Sequence, residues 1–326
     1  MKVIIPVAGL GSRLKPHTFT VPKALLQVGG KPILAHIIDQ VKGWGGSHFT
    51  FIVGHLRESL EHYLHAHYND HSFEYRQQER MLGLGHAVLT GLDPDDKELL
   101  IILGDTILDA DMAPVIKRGV TSIGVKPVVD ARKFGVVELK DGHVTRLIEK
   151  SQEPPTNLAI VGIYYIRDGA LLGKAINEVI KQGIKVKGEY QLTDALQMML
   201  DWGEVIETFP IGGWFDCGKP ETLLETNRYI LDRDGGEVSA TDITESVIIQ
   251  PVHIAADAII EKSVIGPYAV IGSDTHIKNS VVSDSIIGEH SVIEGAVLTE
   301  SLIGNRCKVR ANHHKINLGA SSELDI

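Results

Sequence analysis

Two cations, Arg13 and Lys23, sit on the stretch GLGSRLKPHTFTVPKAL (residues 9–25), directly after the apolar run MKVIIPVA. A Gly-x-Gly turn at the carboxyl end of a strand lets backbone N–H groups approach a phosphate closely. A dinucleotide fingerprint would add a third Gly opening a helix, but position 14 is Leu14. Arg13 can grip phosphate oxygens in bidentate fashion, and Lys23 adds a point charge. One cation would serve a monophosphate; two on a long loop suit a triphosphate that must be bent and split. Pro16 and Pro22 keep the loop from becoming helix. The plainer alternative is a strand–helix connection with surface cations. Asp105 is the acidic counterpart. It follows the run LLIIL (99–103) through Gly104, which predicts a carboxylate at the carboxyl end of a strand, where ligands bind in open α/β sheets. Alone it would read as a turn residue.

These side chains need a scaffold. VIIPVA, FTFIV (49–53) and LLIIL read as strands buried on both faces, and PILAHIIDQVKGW (32–44) and HLRESLEHYLHAHY (55–68) as amphipathic helices between them. That alternation predicts an α/β fold with a doubly wound, mostly parallel sheet. SIGVKPVV (122–129), GVVEL (135–139) and LAIVGIYYI (158–166) add strands with turns between them, so the sheet should be mixed. Helical patterns return at 168–182, 191–201 and 219–231.

The rhythm changes in the last third. Ile265, Ile271, Ile277, Val282, Ile287, Ile293, Leu298, Ile303 and Val309 recur every five or six residues, and Ile271, Ile287 and Ile303 are sixteen apart. A short parallel β-helix explains this, with three hexads per turn and roughly four turns in the segment. The expected organisation is a domain over 1–235, a polar linker over 236–246, a β-helix over 247–312 and a loosely held tail over 313–326.

The bulk numbers narrow the partners. With 326 residues and a net charge of −10, a nucleic-acid surface is not expected, while an anionic small molecule remains compatible with local cations. Two distant cysteines, Cys217 and Cys307, suit a reducing cytoplasm rather than a disulfide framework. The N-terminal apolar run is broken by Pro6 and Gly9, too short for a signal peptide or a span, so no membrane partner is expected. His62, His65, His67 and His71 crowd one stretch, but only His62 and His65 share a helix face, and a metal site needs convergent ligands with outer support. Cys217, with no His or cation assigned to it, reads as a small packed residue.

G-x-G-x-R followed by P-K after the first strand resembles the signature of the sugar-1-phosphate nucleotidyltransferases. QERMLGLGHAV (78–88), LGDTIL (103–108), FGVVE (134–138), IEK (148–150), NLAIVGIYYI (157–166), GEYQLTDAL (188–196) and WFDCGKPETL (214–223) follow in family order over roughly the first 235 residues. GLGHAV, GEYQLTD and DCG look closest to the UDP-glucose pyrophosphorylases, and a left-handed hexapeptide β-helix is familiar in the thymidylyl- and guanylyltransferases.

The resemblance implies transfer of a nucleotidyl group from UTP or dTTP to a sugar 1-phosphate, with Mg²⁺ and release of pyrophosphate. It implies that Ala8, Gly9, Gly11 and Ser12 line the nucleotide, that Arg13 holds the β- and γ-phosphates, and that Lys23 sits at the α-phosphate. It places Asp216 beside Asp105 as a second metal ligand. Gln78 becomes the base reader, since a carboxamide can accept from the N3–H of uracil or thymine and donate to a carbonyl, and Gly83 lets backbone approach the base. Glu149 and Lys150 resemble the sugar-phosphate site, with Gly135, Gly162, Asn157 and Glu189 on the sugar side. Ser151 stands where Glu-Lys-Pro is commoner, which bears on the loop rather than on the lysine. A mannose-1-phosphate guanylyltransferase and a non-catalytic scaffold subunit are the competing readings; the intact Arg13, Lys23, Asp105 and Asp216 set speaks against the scaffold. An acyltransferase β-helix would want more coils and a catalytic His. A homo-oligomer, through the β-helix or surfaces of the first domain, is expected.

Overall fold

The computed structural model describes residues 1–68 and 72–311. They form two compact units: residues 1–26 with 31–226, and residues 27–30 with the chain from 227 onward.

The first unit is built on a nine-stranded mixed sheet. Its strands and an accompanying two-stranded ribbon are, in chain order, β1 (Lys2–Pro6), β2 (His48–Val53), β3 (Ser72–Gln77), β4 (Leu99–Ile102), β5 (Thr106–Asp109), β6 (Ser122–Pro127), β7 (Gly135–Lys140), β8 (His143–Glu149), β9 (Leu158–Ile166), β10 (Glu207–Pro210) and β11 (Gly213–Asp216). β3, β2, β1 and β4 lie side by side and parallel. The chain steps outward from β1 to β3, then crosses back to β4 on the other side of β1. The order of the sheet therefore reverses between β1 and β4, and that switch point opens a crevice at the strands' carboxyl ends. The β-branched and leucine runs fill the centre: Val3, Ile4 and Ile5 of β1 and Leu99 to Ile102 of β4 are fully buried.

β9 joins the rest antiparallel, against β6 on one side and β4 and β7 on the other, with a break in register against β6 between Ile160 and Tyr164. β5 and β11 form the separate ribbon. Among the described residues no helix is long and apolar enough to cross a membrane.

In the second unit, strands of two or three residues stack into three parallel sheets, the faces of a β-helix. Each coil places one inward aliphatic per face: Ile254, Ile271 and Ile287 on the first, Ile260, Ile277 and Ile293 on the second, Ile265 and Val282 on the third. Corner hydroxyls tie the coils: Ser280 N–H donates to Ser263 Oγ at 3.1 Å, and Ala296 N–H to Ser280 Oγ at 3.2 Å. The stack begins earlier than the sequence suggests. Glu237–Val238 and Asp242–Thr244, inside the expected linker, pair with His253–Ile254 and Ile259–Glu261. Among the described residues the strands of this first coil pair on one side only, so polar residues suffice and the apolar period fades. The turn 27–30 belongs here: Gly29 N–H donates to Asn227 Oδ1 at 2.8 Å, and Gln27 Nε2 to Glu289 at 3.2 Å.

Candidate active site

The loop after β1 folds back on itself. Gly11 is left-handed (φ 58°), and a Cβ there would lie 2.8 Å from Thr18 Cγ2 and 3.3 Å from Lys23 Cβ. Thr18 Oγ1 donates to Gly11 O at 2.9 Å. Leu14, at the position where a dinucleotide motif would have its third Gly, is fully buried. It anchors the loop in the core and leaves Arg13 exposed on the rim. Nothing lies within 4 Å of a Cβ on Gly9, so backbone there is open to a ligand. Ala8 is buried, with its carbonyl against Gly54; Ser12 is exposed at the start of a short 3₁₀ turn.

Lys23 reaches across to β4. Its Nζ lies 2.5 Å from Asp105 Oδ2, with the lysine side chain only 11% exposed. Antiparallel pairing of β11 with β5 sets Asp216 opposite Thr106, and Cys217 N–H donates to Asp105 O at 3.1 Å. The two carboxylates are thus held side by side. Burial first, then the negative charge of Asp105, pushes the Asp216 carboxyl above its ordinary range, while Lys23 and Arg13 pull it back. Gly218 lets Arg13 in: a Cβ there would lie 2.7 Å from Arg13 Nη2 and 2.8 Å from Asp216 Oδ1. Two cations and two carboxylates from separate parts of the chain therefore meet at the β1/β4 switch point.

The family model for the nucleotidyl transferases matches residues 2–233. The chain belongs to the nucleotidyl transferase family. It is 33% identical over 237 residues to the UTP–glucose-1-phosphate uridylyltransferase AglF of Haloferax volcanii, covering 70% of this chain and 96% of that protein. It is 31% identical to a glucose-1-phosphate thymidylyltransferase of Streptomyces antibioticus, over 79% of this chain and 74% of the other. It is 35% identical to the bifunctional protein GlmU of Methanocaldococcus jannaschii, of which it spans 59%. Among solved structures, a UDP-glucose pyrophosphorylase complexed with UDP-glucose superposes with a TM-score of 0.62 at 25% identity, covering 71% of this chain and 98% of that one. The resemblance drawn from the motifs and the α/β fold with its β-helix are borne out.

The remaining positions of this nucleotidyltransferase fall into two groups. Gln78 is buried, its Nε2 donating to Gly83 O at 3.2 Å and lying 3.1 Å from His86 Nδ1. Burial and Arg80 lower the pKa of His86, which favours an imidazole able to accept. Both amide hydrogens of Gln78 are thereby engaged inside the protein, leaving Oε1 as its open group. Gly83 (φ 110°) packs on Tyr190 O and on Glu189 Cβ, so Glu189 lies on the Gln78 side.

Around Glu149, β7 and β8 align Gly135 with that residue. A Cβ on Gly135 would lie 2.8 Å from Glu149 Oε2, which accepts from Thr193 Oγ1 at 2.6 Å. Lys150 Nζ is 3.2 Å from Glu149 Oε1. Asn157 is exposed, its carbonyl accepting from Val128 N–H at 3.0 Å. At Gly162 (φ 83°) the glycine makes room for Leu103, whose Cγ would be 2.7 Å from a Cβ.

Sequence reasoning passed over Thr193 and Asp194, although both stand in the quoted GEYQLTDAL. Asp194 Oδ2 is buried without a hydrogen-bond partner among the described residues. Burial, reinforced by the charge of Glu149, raises the Asp194 pKa to about 6 from 3.8. Between those values the folded chain keeps a proton that the unfolded chain releases, so this group's contribution to stability falls as pH rises through that window. Asp194→Asn, a mimic of the protonated acid, should therefore gain melting temperature over the parent as pH rises through about 6 and match it in acid. Thermal melts of both proteins across that range check this; a constant difference would rule it out.

His62, His65 and His67 lie on the helix Arg57–His67, with His67 stacked on Tyr63 at 4.3 Å between centroids. His71 lies outside the described residues. Among those described, no group of three or more His, Cys, Asp or Glu could hold a metal ion. Cys217 is fully buried, and burial pushes its thiol up to about 12, which leaves it inert.

Proposed function

We propose that the chain transfers a uridylyl or thymidylyl group from UTP or dTTP to a sugar 1-phosphate, glucose 1-phosphate first among candidates, releasing pyrophosphate. The observation that carries this reading is the convergence of Arg13, Lys23, Asp105 and Asp216 at the switch point, 2.5 Å separating the Lys23 ammonium from Asp105. AglF and the Streptomyces antibioticus enzyme, named for the two nucleotides, support it from outside.

The turn from Gly9 to Ser12, with its backbone open at Gly9 and its fold fixed by Gly11 against Thr18, cradles the triphosphate. Arg13 holds the β- and γ-phosphates and stabilises the departing pyrophosphate. An oxygen of the sugar phosphate attacks the α-phosphorus as the bond to pyrophosphate breaks, so no covalent enzyme intermediate is needed. Lys23 leaves Asp105 for the α-phosphate, where charge accumulates. Two neighbouring carboxylates form the start of a hard oxygen site that phosphate oxygens can complete, which fits Mg²⁺. When bound, Mg²⁺ supplies charge neutralisation on the phosphate oxygens. Lys150 takes the incoming sugar phosphate and Glu149 a sugar hydroxyl, with Gly135, Gly162 and Asn157 on the sugar side, while Glu189, packed by Gly83, lies toward the base. The free cysteines suit a reducing cytoplasm.

Gln78 presents Oε1 to the pyrimidine N3–H, and backbone at Gly83 meets the rest of the base edge. Gln78→Glu would turn a carboxylate oxygen toward Gly83 O, where the amide now donates at 3.2 Å. It should cost pyrimidine turnover about 1–3 kcal/mol, the range for an unsatisfied buried group. Pyrophosphate release from four nucleoside triphosphates against a panel of sugar 1-phosphates tests both points. UTP and dTTP should both work, UTP somewhat better, and GTP poorly; a kcat/KM favouring GTP overturns the assignment.

A further inference from the structure

The direction in which the Gln78 carboxamide faces decides what a pyrimidine meets. Gln78 follows β3 directly, its backbone N–H donating to Val53 O at 2.8 Å, and the residue is buried. Its Nε2 lies 3.2 Å from Gly83 O and 3.1 Å from His86 Nδ1. Both partners belong to one short structure. Gly83 stands where the helix Leu84–Gly91 begins, and His86 is three residues on, over the same first turn. Tyr190 clamps that turn twice, its carbonyl accepting from Gly85 N–H at 2.9 Å and its N–H donating to Leu82 O at 2.8 Å. The two partners are not equal. Gly83 O already accepts from Ala87 N–H at 3.1 Å, and its contact with Gln78 is at the long end for such a bond. His86 Nδ1 makes the shorter contact and, among the described residues, has no other hydrogen bond. Burial and the nearby Arg80 favour the neutral imidazole, so Nδ1 is free to accept.

Given Gln78 as the residue that reads the base, we propose that His86 is a positioning residue that keeps the Gln78 carboxamide facing one way, and that this orientation separates uracil and thymine from cytosine. Uracil and thymine present an N3–H. Cytosine presents a bare N3 beside an amino group. An outward Oε1 accepts from the first edge, whereas the second calls for an outward Nε2. A half-turn of the carboxamide exchanges the two atoms, and the torsion itself opposes it little, being broad and roughly two-fold. Neighbours must therefore hold the group. Gly83 O sets the sense of the orientation, because a carbonyl never donates. His86 takes up a second hydrogen of the same nitrogen and so fixes the plane of the amide. With both in place, the half-turn breaks two bonds and sets Oε1 against a carbonyl. With Gly83 O alone, one long bond restrains the group, and both edges of the carboxamide become available to a base.

Values of kcat/KM for UTP, dTTP and CTP, measured with the sugar 1-phosphate that gives the highest rate, test this. The parent should favour UTP over CTP by about a thousandfold or more, as a site built around a base N–H rejects a base lacking it. His86→Leu should narrow that ratio about tenfold, the usual size of one such bond, with dTTP falling alongside UTP. His86→Asp should restore the parental ratio: its Oδ1 is placed much as Nδ1 is, it only accepts, and an acid suits the first turn of a helix. The ratio is read between nucleotides on one preparation, so a partly unfolded variant still reports it, and His86→Ala takes the place of a leucine variant that does not fold. Equal losses with all three nucleotides in His86→Leu, or an aspartate variant as unselective as the leucine one, overturn His86 as a positioning residue. Gln78→Leu separates this from the reading beneath it. A ratio that collapses in Gln78→Leu but holds in His86→Leu removes the role of His86 alone. A ratio unmoved in Gln78→Leu, or a parent that uses CTP as well as UTP, removes Gln78 as the base reader and His86 with it.

Discussion

Asp105→Asn should fold normally and lose turnover by about a hundredfold or more, since even outer partners of a bound metal carry ~10–100-fold. The variant loses a carboxylate from the oxygen pair and the anion that holds Lys23 at 2.5 Å. Asp216→Asn should lose activity too, by less, because Asp216 anchors no lysine. Raising Mg²⁺ should recover part of the rate in Asp216→Asn. Stability should move the other way. Asp216 is pushed toward its protonated form by burial and by Asp105, so neutralising it relieves repulsion, and the ligand-free variant should melt no lower than the parent. Steady-state rates at limiting and saturating Mg²⁺, with melting curves, check all of this. Near-parental rates in both variants at limiting Mg²⁺ would remove the two-carboxylate site from the proposal.

Lys23→Met should lower kcat by about a hundredfold to a thousandfold, the usual consequence of removing one preorganised donor from developing charge. KM for the sugar phosphate should change little, because the proposed function gives that phosphate to Lys150 rather than to Lys23. Lys23→Arg should not rescue. The lysine side chain is 11% exposed, and a planar guanidinium is neither the size nor the shape of the ammonium it replaces. Kinetics with each substrate varied separately decide the matter: an unchanged kcat with a raised KM for the nucleotide would reduce Lys23 to a binding residue.

What the sequence made legible follows from how strongly each element is marked. β1, β4 and β9 are continuous apolar runs, and the helix Ile33–Gly43 buries Ile33, Leu34, Ile37, Ile38 and Val41 on a helical period. The loop from Gly9 to Lys23 announces itself by glycine, proline and cation together. β3 carries no such signal: SFEYRQ lies at the end of the parallel row, half exposed throughout. Asp194 was invisible because its chemistry comes from burial beside Glu149, residues distant in sequence. The motif singled out Gln78 as a candidate, but the engagement of its amide nitrogen by Gly83 and His86 was not legible, since that depends on side-chain geometry. Two-residue strands such as Glu237–Val238 are below what periodicity can register, so the first coil passed for a linker.

The hydroxyl columns at the corners of the β-helix have a wider consequence. Ser263, Ser280 and their counterparts donate within their own coil and accept from the next coil, so each interface in the stack resembles the one before it. Such a structure is a ruler with interchangeable divisions. A whole coil inserted or deleted presents familiar partners above and below, whereas a part-coil change would set corner hydroxyls against strand centres and turn aliphatic residues outward. Length should therefore drift between related proteins in whole divisions, while the column along each edge keeps its character.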